Sequence, residues 1–446
     1  MLREICLTLA LAPMVMAQES AAGTAQSNHQ DSRQSSVQNV IDATPQATGE
    51  LRLDDVVREA LAANPGLGRA ATLVAAQKAH VPQVGVLPDP TVTVSWMGDP
   101  VPFKVMDGDP SSYRGLTVMQ MVPLGGKRGL QREVARKDVA LEEISQSAAQ
   151  RNLATEARSA FFDYYYYDLA LKITKRNHQR LQQLAEITEG RYRVGKAMQQ
   201  DVLRARLEIS MLLQRTAALN QQRSVAAARL NTLMGRPAGA DLPAPAEPAR
   251  STLPTIEDLA PKAETNDLML ARETRMGERE SAALALSRKD GTPDLNVGYM
   301  YQQRTGMPDM HGMQFTVNLP AFHRDRWRQE VVEGELRVRA AKQGQQARRL
   351  ELGYELKQAY AAAETAKQML DLYDQAILPQ AKLARESAQS SYTVGTVDFL
   401  TVLTSYTAIY SYELDYYRQR ADYEIAVAKI HGLTGDMDAP NATEAH

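Results

Sequence analysis

The sequence predicts a mainly α fold with a small β part, assembled from two copies of one unit. Three observations predict it. The chain matches itself at an offset near 200 residues, two very long helical runs carry almost no proline, and four short segments alternate with period two. The match is specific in kind as well as spacing. Gly115-Leu116-Thr117-Val118 through Pro123-Leu124 aligns with Gly312-Met313-Gln314-Phe315 through Pro320-Ala321 at an offset of 197. Arg191-Tyr192-Arg193-Val194-Gly195 aligns with Ser391-Tyr392-Thr393-Val394-Gly395, and Leu233-Met234-Gly235 with Leu433-Thr434-Gly435, both at 200. The organisation that follows is a repeat over 51–235, a Pro/Ala-rich linker over 236–254, a second repeat over 255–435 and a tail over 436–446.

Ahead of the repeats, residues 1–17 combine Arg3, an apolar run from Ile5 to Met16 and a small-residue end at Val15-Met16-Ala17. This is the pattern of a cleaved secretory signal, too short to span a bilayer as a helix. Residues 18–50 are rich in Ser, Gln, Ala and Thr with few large apolar groups, which predicts a flexible leader.

Within each repeat the elements come in one order. A helical stretch opens it, Leu53 to about Gln83 and then Thr255 to Lys289, and Asp54 and Asp55 complement the helix dipole of the first. Two alternating segments follow: Thr91–Trp96 with Gly115–Val122, then Leu295–Tyr301 with Met313–Leu319. One side of each is apolar or aromatic and the other polar, as in a strand between two environments. From Arg128 to Gly190 no proline interrupts, and beyond Arg324 only Pro379 does. A run of that length spans on the order of 95 Å as a helix, too long for a compact domain. Leu181, Leu184 and Thr188 in the first run, and Leu356, Tyr360, Ala363, Leu370, Tyr373, Ile377, Gln380 and Ala384 in the second, trace a coiled-coil seam. Val194-Gly195 and Val394-Gly395 suit the reversals into the return helices Leu203–Leu233 and Leu400–Leu433.

Four strands are too few to close on themselves. Closed membrane barrels start at about eight, so a membrane sheet here would be shared among chains, and three copies would supply twelve strands. The 51 basic and 53 acidic residues leave a net charge of −2, with no basic excess for nucleic acid. The single cysteine, Cys6, excludes a disulfide framework and a Cys-based zinc site. The histidines lack metal-ligand spacing, and no nucleophile elbow or phosphate loop occurs. The chain reads as a non-enzyme without a cofactor. The run Tyr164–Tyr167 covers one helical turn and reads as interhelical packing.

The residues Tyr192-x-Val194-Gly195-x5-Asp201-Val202-Leu203, Tyr392-x-Val394-Gly395-Thr396 and the strand-to-helix joint Val122-Pro123-Leu124-Gly125-Gly126-Lys127-Arg128 resemble the TolC-type outer-membrane efflux channel family. The resemblance covers about Leu51 to Gly435. It implies a homotrimer with a twelve-stranded β-barrel among outer-membrane lipid and an α-helical tunnel through the periplasm. It also implies a periplasmic adaptor protein and an inner-membrane pump, of the resistance-nodulation-division type, as partners. Carried over, Val194, Gly195, Val394, Gly395 and Thr396 are the adaptor-docking tip, and Asp201 and Tyr392 the tip gate, with Asp398 nearby as a substitute acid. Val397 stands where the family places an arginine, and Thr401 and Thr404 where many members carry an acidic ring. The Pro-Leu-Gly-Gly-Lys-Arg joint is similar to the heavy-metal cation efflux branch. Met307, Met310, His311 and Met313 are candidate contacts for soft ions such as Cu(I) or Ag(I). Drugs or secreted polypeptides as cargo remain alternatives, as does a periplasmic coiled-coil scaffold that conducts nothing.

Overall fold

A computed structural model describes residues 49–99, 103–318 and 324–436. The expected signal segment, nearly all of the leader and all but Asp436 of the tail lie outside the described residues. In chain order the elements are α1 (Leu53–Ala63), α2 (Pro65–Val84), β1 (Thr91–Met97), β2 (Tyr113–Pro123), α3 (Lys127–Arg193) and α4 (Gln199–Leu233). The second repeat supplies α5 (Ile256–Asn266), α6 (Leu268–Asp290), β3 (Asp294–Gln303), β4 (Met310–Asn318), α7 (Arg324–Leu372), a π-helical turn (Tyr373–Ile377), α8 (Leu378–Val394) and α9 (Phe399–Thr434).

Each repeat opens on a broken helix where the sequence suggested a continuous one. Pro65 bars Asn64 from helical ψ, and Asn64 sits at ψ 120° with its side chain accepting the Gly66 N–H. No proline marks the equivalent break at Asp267, which caps α6 through the Leu270 N–H at 2.6 Å. Tertiary contacts hold both breaks. Asn64 Nδ2 donates to the Leu233 carbonyl at 2.9 Å and Asn266 Nδ2 to the Thr434 carbonyl at 2.8 Å. Each return helix thus ends on the kink of its own repeat, and the kink satisfies one of its terminal carbonyls.

The four strands form one antiparallel sheet in the order β1-β2-β3-β4. Residues directly opposite share a face and alternate along each strand. The register therefore sorts Val92, Val94, Leu116, Val118, Tyr299 and Phe315 onto one face, with Thr93, Thr117, Gln302, Gln314 and Thr316 on the other. Strand β2 enters α3 through Gly125 and Gly126, at φ +73° and +77°, where a side chain would be strained. A Cβ on Gly125 would also come within 2.7 Å of the Thr292 hydroxyl. Next to this turn the buried Lys127 reaches into the other repeat, donating to the Thr292 carbonyl at 2.9 Å and to Asp294 at 3.0 Å.

Helix α3 has 67 residues and runs for about 100 Å. Its partner in the second repeat is interrupted by the π turn immediately ahead of Pro379. That proline lacks an N–H and would clash with the preceding turn, and a π turn absorbs both problems locally. The extra residue moves the seam. Leu356, Ala363 and Leu370 are buried as the spacing predicts, but Gln380 and Ala384 face solvent, and burial resumes at Ala388 and Tyr392. The apolar interior divides into three clusters, two at equivalent places in the two repeats and one at the tip. One gathers Phe161, Tyr164 and Leu230, a second Leu356, Leu370 and Tyr423, and the third Leu181, Tyr392 and Phe399. The tyrosine run packs as expected, with Tyr164, Tyr165 and Tyr166 buried.

The linker is pinned between the repeats. The Tyr164 hydroxyl donates to the Pro243 carbonyl at 3.1 Å and the Tyr423 hydroxyl to the Ser251 carbonyl at 2.8 Å. The buried Glu424 carboxylate accepts from the Ser251 N–H at 2.9 Å and the Ser251 hydroxyl at 2.6 Å.

Two stability outcomes follow from these contacts. Lys127→Ala leaves Asp294 without its cation and the joint without its cross-repeat tie; a loss of about 2 kcal/mol is expected in detergent-solubilised thermal unfolding. Burial pushes the Glu424 carboxyl above its ordinary range. A raised folded-state value means the contribution is complete below the unfolded pKa and is lost as pH rises through the folded one. Glu424→Gln should therefore flatten the fall in unfolding temperature as pH rises above the ordinary glutamate range. An unchanged slope would show that the carboxyl is not the group responsible.

Candidate functional site at the helical tip

The two reversals of the chain come together at one end of the helical bundle. The first follows α3: Gly195 adopts φ +74°, its N–H bonds the Tyr192 carbonyl at 2.9 Å, and the Lys196 N–H bonds the Arg191 carbonyl at 2.8 Å. The second follows α8: Gly395 adopts φ +86°, its N–H bonds the Ser391 carbonyl at 3.0 Å, and the Thr396 N–H bonds the same carbonyl at 2.9 Å. Only glycine enters this left-handed region without strain. The turns push Val194 and Val394 into solvent, 66% and 76% exposed.

The carboxylates expected at the gate serve their own helices. Asp201 accepts the Met198 N–H at 3.2 Å in the first turn of α4. Asp398 is the N-cap of α9 and accepts the Thr401 N–H at 3.1 Å and the Thr401 hydroxyl, which together hold its carboxyl below the usual range. Tyr392 does cross between repeats, but to a different partner from Asp201. Its buried ring meets Phe399 edge-on at 6.0 Å and its hydroxyl donates to Thr188 Oγ1 at 3.2 Å. Val397, at the position of the family's arginine, packs against this apolar cluster.

An arginine nevertheless works here, contributed by the other repeat. Arg191, in the last turn of α3, donates through Nη1 to the Tyr392 carbonyl and to the Thr393 carbonyl at 3.0 Å. Its guanidinium lies 4.6 Å from the Tyr392 ring centre. It therefore ties down carbonyls in the last turn of α8, adding to the Gly395 N–H already on the Tyr392 carbonyl, where the dipole favours a cation. A Cβ on Gly395 would stand 3.2 Å from Arg191 Nη2, so the glycine also makes room for the clamp. The sequence held a signal for this residue: at the repeat offset Arg191 is matched by Ser391, a break in symmetry inside a matching motif. Thr188 had appeared only as a seam position.

The sulfur-bearing candidates lie at the opposite end, and the structure does not gather them. His311 and Met313 belong to the apolar face, where His311 Nδ1 pairs with the Tyr299 hydroxyl at 2.6 Å. Met310 is on the polar face, and Met307 precedes β4 in the loop. Among the described residues, no three His, Cys, Asp or Glu side chains converge as metal ligands.

The model of the outer membrane efflux protein family matches residues 56–236 and 262–436. No curated protein matches the sequence significantly. Solved structures match at low identity but over most of both chains. The outer-membrane channel OprN is 18% identical, with 86% of this chain and 89% of that one covered at a TM-score of 0.72. The outer membrane protein VceC from Vibrio cholerae is 16% identical, with 86% and 96% covered at a TM-score of 0.72. CusC, described for its folding and transmembrane channel formation, is 14% identical, with 88% and 95% covered at a TM-score of 0.74.

Removing the clamp should free the two turns from each other. With spin labels at Lys196→Cys and Val394→Cys, Arg191→Ala should broaden the distance distribution. Arg191→Lys, which lacks the planar fork, should recover only part of the wild-type width. An unchanged distribution in Arg191→Ala would show that Tyr392 and its apolar neighbours suffice.

Proposed function

Since this chain belongs to the outer membrane efflux protein family, we propose that it forms the outer-membrane channel of a tripartite efflux system. It is a passive exit duct and not an enzyme. The observation that carries the reading is the sheet. Its apolar face leaves Val92, Val94, Leu116, Tyr299 and Phe315 exposed in the single chain, while β1 and β4 each pair on one side only among the described residues. An apolar face suits lipid, and open edges are not tolerated there. Further copies must supply the missing neighbours, and three chains close a barrel of twelve strands. No helix among the described residues is long and apolar enough to cross a membrane, which leaves the spanning to the strands.

At the other end Val194, Gly195, Val394, Gly395 and Thr396 form the surface for a periplasmic adaptor, which links the channel to an inner-membrane pump of the resistance-nodulation-division type. Exposure of both valines at the turns supports this assignment. Tyr392, Asp201 and Asp398 lie beside the turns as the gate, with Arg191 added to them. The cargo in this reading is a soft heavy-metal cation such as copper or silver. The Pro123-Leu124-Gly125-Gly126-Lys127-Arg128 joint and the 18 methionines support it.

Detergent extracts of the outer-membrane fraction should yield a native mass of three mature chains. Recovery of monomer or dimer by carbonate wash, without detergent, would instead leave a periplasmic scaffold. In a strain lacking its own copy, the paired change Val194→Asp and Val394→Asp should abolish the gain in metal tolerance while leaving the trimer intact. Full tolerance in that variant would move adaptor docking away from the turns.

A further inference from the structure

The strand register places five methionines on the polar face, and four of them, leaving out Met97 at the end of β1, follow a regular order. Met121 and Met119 stand two residues apart on β2. Met119 lies opposite Gly298 of β3, and Met300 is two residues beyond that glycine. Met300 lies opposite Gly312 of β4, and Met310 is two residues from that one. Each methionine is thus next along the strand or on the diagonal from the one before, a separation of about 7–8 Å that long side chains bridge. Each step also advances two residues along the strand axis, about 7 Å. The series climbs from the strand-to-helix joint to the loop between β3 and β4.

The two intervening glycines decide where the side chains lie. A Cβ on Gly298 would come 3.0 Å from Met119 Cγ, and one on Gly312 would come 3.2 Å from Met300 Cε. Both side chains therefore lean the same way across the sheet, each over a glycine toward the strand that carries the next methionine. The Met300 sulfur is engaged by a polar group, accepting from Gln302 Nε2 at 3.3 Å. The neighbours on this face include Thr91, Thr117, Asn296, Gln302, Gln314 and Thr316, all uncharged, and the one carboxylate diagonal to Met121, Asp294, is paired with Lys127 at 3.0 Å.

We propose that Met121, Met119, Met300 and Met310 form a thioether stair along which a soft monovalent cation, Cu(I) or Ag(I), is handed through the barrel. The proposal rests on the channel reading above, under which the polar face lines the lumen. Thioethers suit soft cations and hold hard ones poorly. They are neutral, so each contact leaves the ion's charge uncompensated and binding stays weak, as conduction through successive sites requires. Cys6 is the chain's single thiol, and thioethers, unlike thiols, do not pair into disulfides in an oxidising compartment. The stair replaces the grouping of Met307, Met310, His311 and Met313, which the register divides between two faces and a loop.

The test is silver titration of the detergent-solubilised protein labelled with 13C at the methionine methyls. Methyl resonances of Met119, Met300 and Met310 are expected to shift together, with Met313 on the apolar face unmoved. The triple variant Met119→Leu, Met300→Leu, Met310→Leu conserves volume and should lose those shifts and lower silver tolerance several-fold, at unchanged planar-bilayer conductance. Equal shifts at Met106 and Met313, or undiminished tolerance in the triple variant, would overturn the stair and leave a conducting channel standing. Absence of conductance in the wild type would remove the channel reading itself, and the transit role with it.

Discussion

A helix about 100 Å long cannot bury its apolar stripe in a rounded core, and the rest of this structure answers that constraint. Its stripe must be covered along a line by other helices of matching length. The interior is accordingly drawn out along the helices, from a matching pair of clusters, one in each repeat, to the Tyr392 and Phe399 layer that both repeats share at the tip. Small residues bring the axes close, as with the fully buried Ala157, Ala170 and Ala363. Tyrosines fill the wider gaps and end on polar atoms of a neighbouring helix. Tyr410 pairs with Thr174 at 3.1 Å and Tyr392 with Thr188 at 3.2 Å. This accounts for a composition in which tyrosine far outnumbers phenylalanine.

A linear core makes the ends of the elements expensive, because each end carries backbone groups that the next element must satisfy. The two repeats solve the same problem at the same places with different chemistry. Asn64 and Asn266 take the final carbonyls of α4 and α9, the first kink being enforced by proline and the second by an aspartate cap. At the tip the symmetry breaks. Arg191 of the first repeat covers carbonyls of the second, with no reciprocal group at Ser391. The two turns are thus coupled by an interaction that is separate from either turn's own glycine geometry.

The sheet sets the other end. One of its faces is apolar and the other polar, and among the described residues β1 and β4 each pair on one side only. The glycines at 298 and 312 shape the polar face by admitting the Met119 and Met300 side chains over them. The same register that gathers the apolar side chains on one face thus arranges the sulfurs on the other.

The sequence by itself determined the element order, the two-fold repeat, the antiparallel long helices and the turns at Gly195 and Gly395. These follow from local periodicity and from backbone angles that only certain residues adopt. The breaks at Asn64 and Asp267 were half-legible, since Pro65 is visible but the capping role of Asp267 is not distinct from a solvated helical aspartate. The rest of the site required contacts between residues some 200 positions apart. Arg191 reaches Tyr392 and Thr393, Lys127 reaches Asp294, and Met119 lies over Gly298. The shifted seam after Leu370 needed the π turn, whose extra residue rotates every later side chain. Periodicity reports which side of an element is apolar. Only the packed structure decides which partner that side meets, because register between distant segments is fixed by their mutual fit.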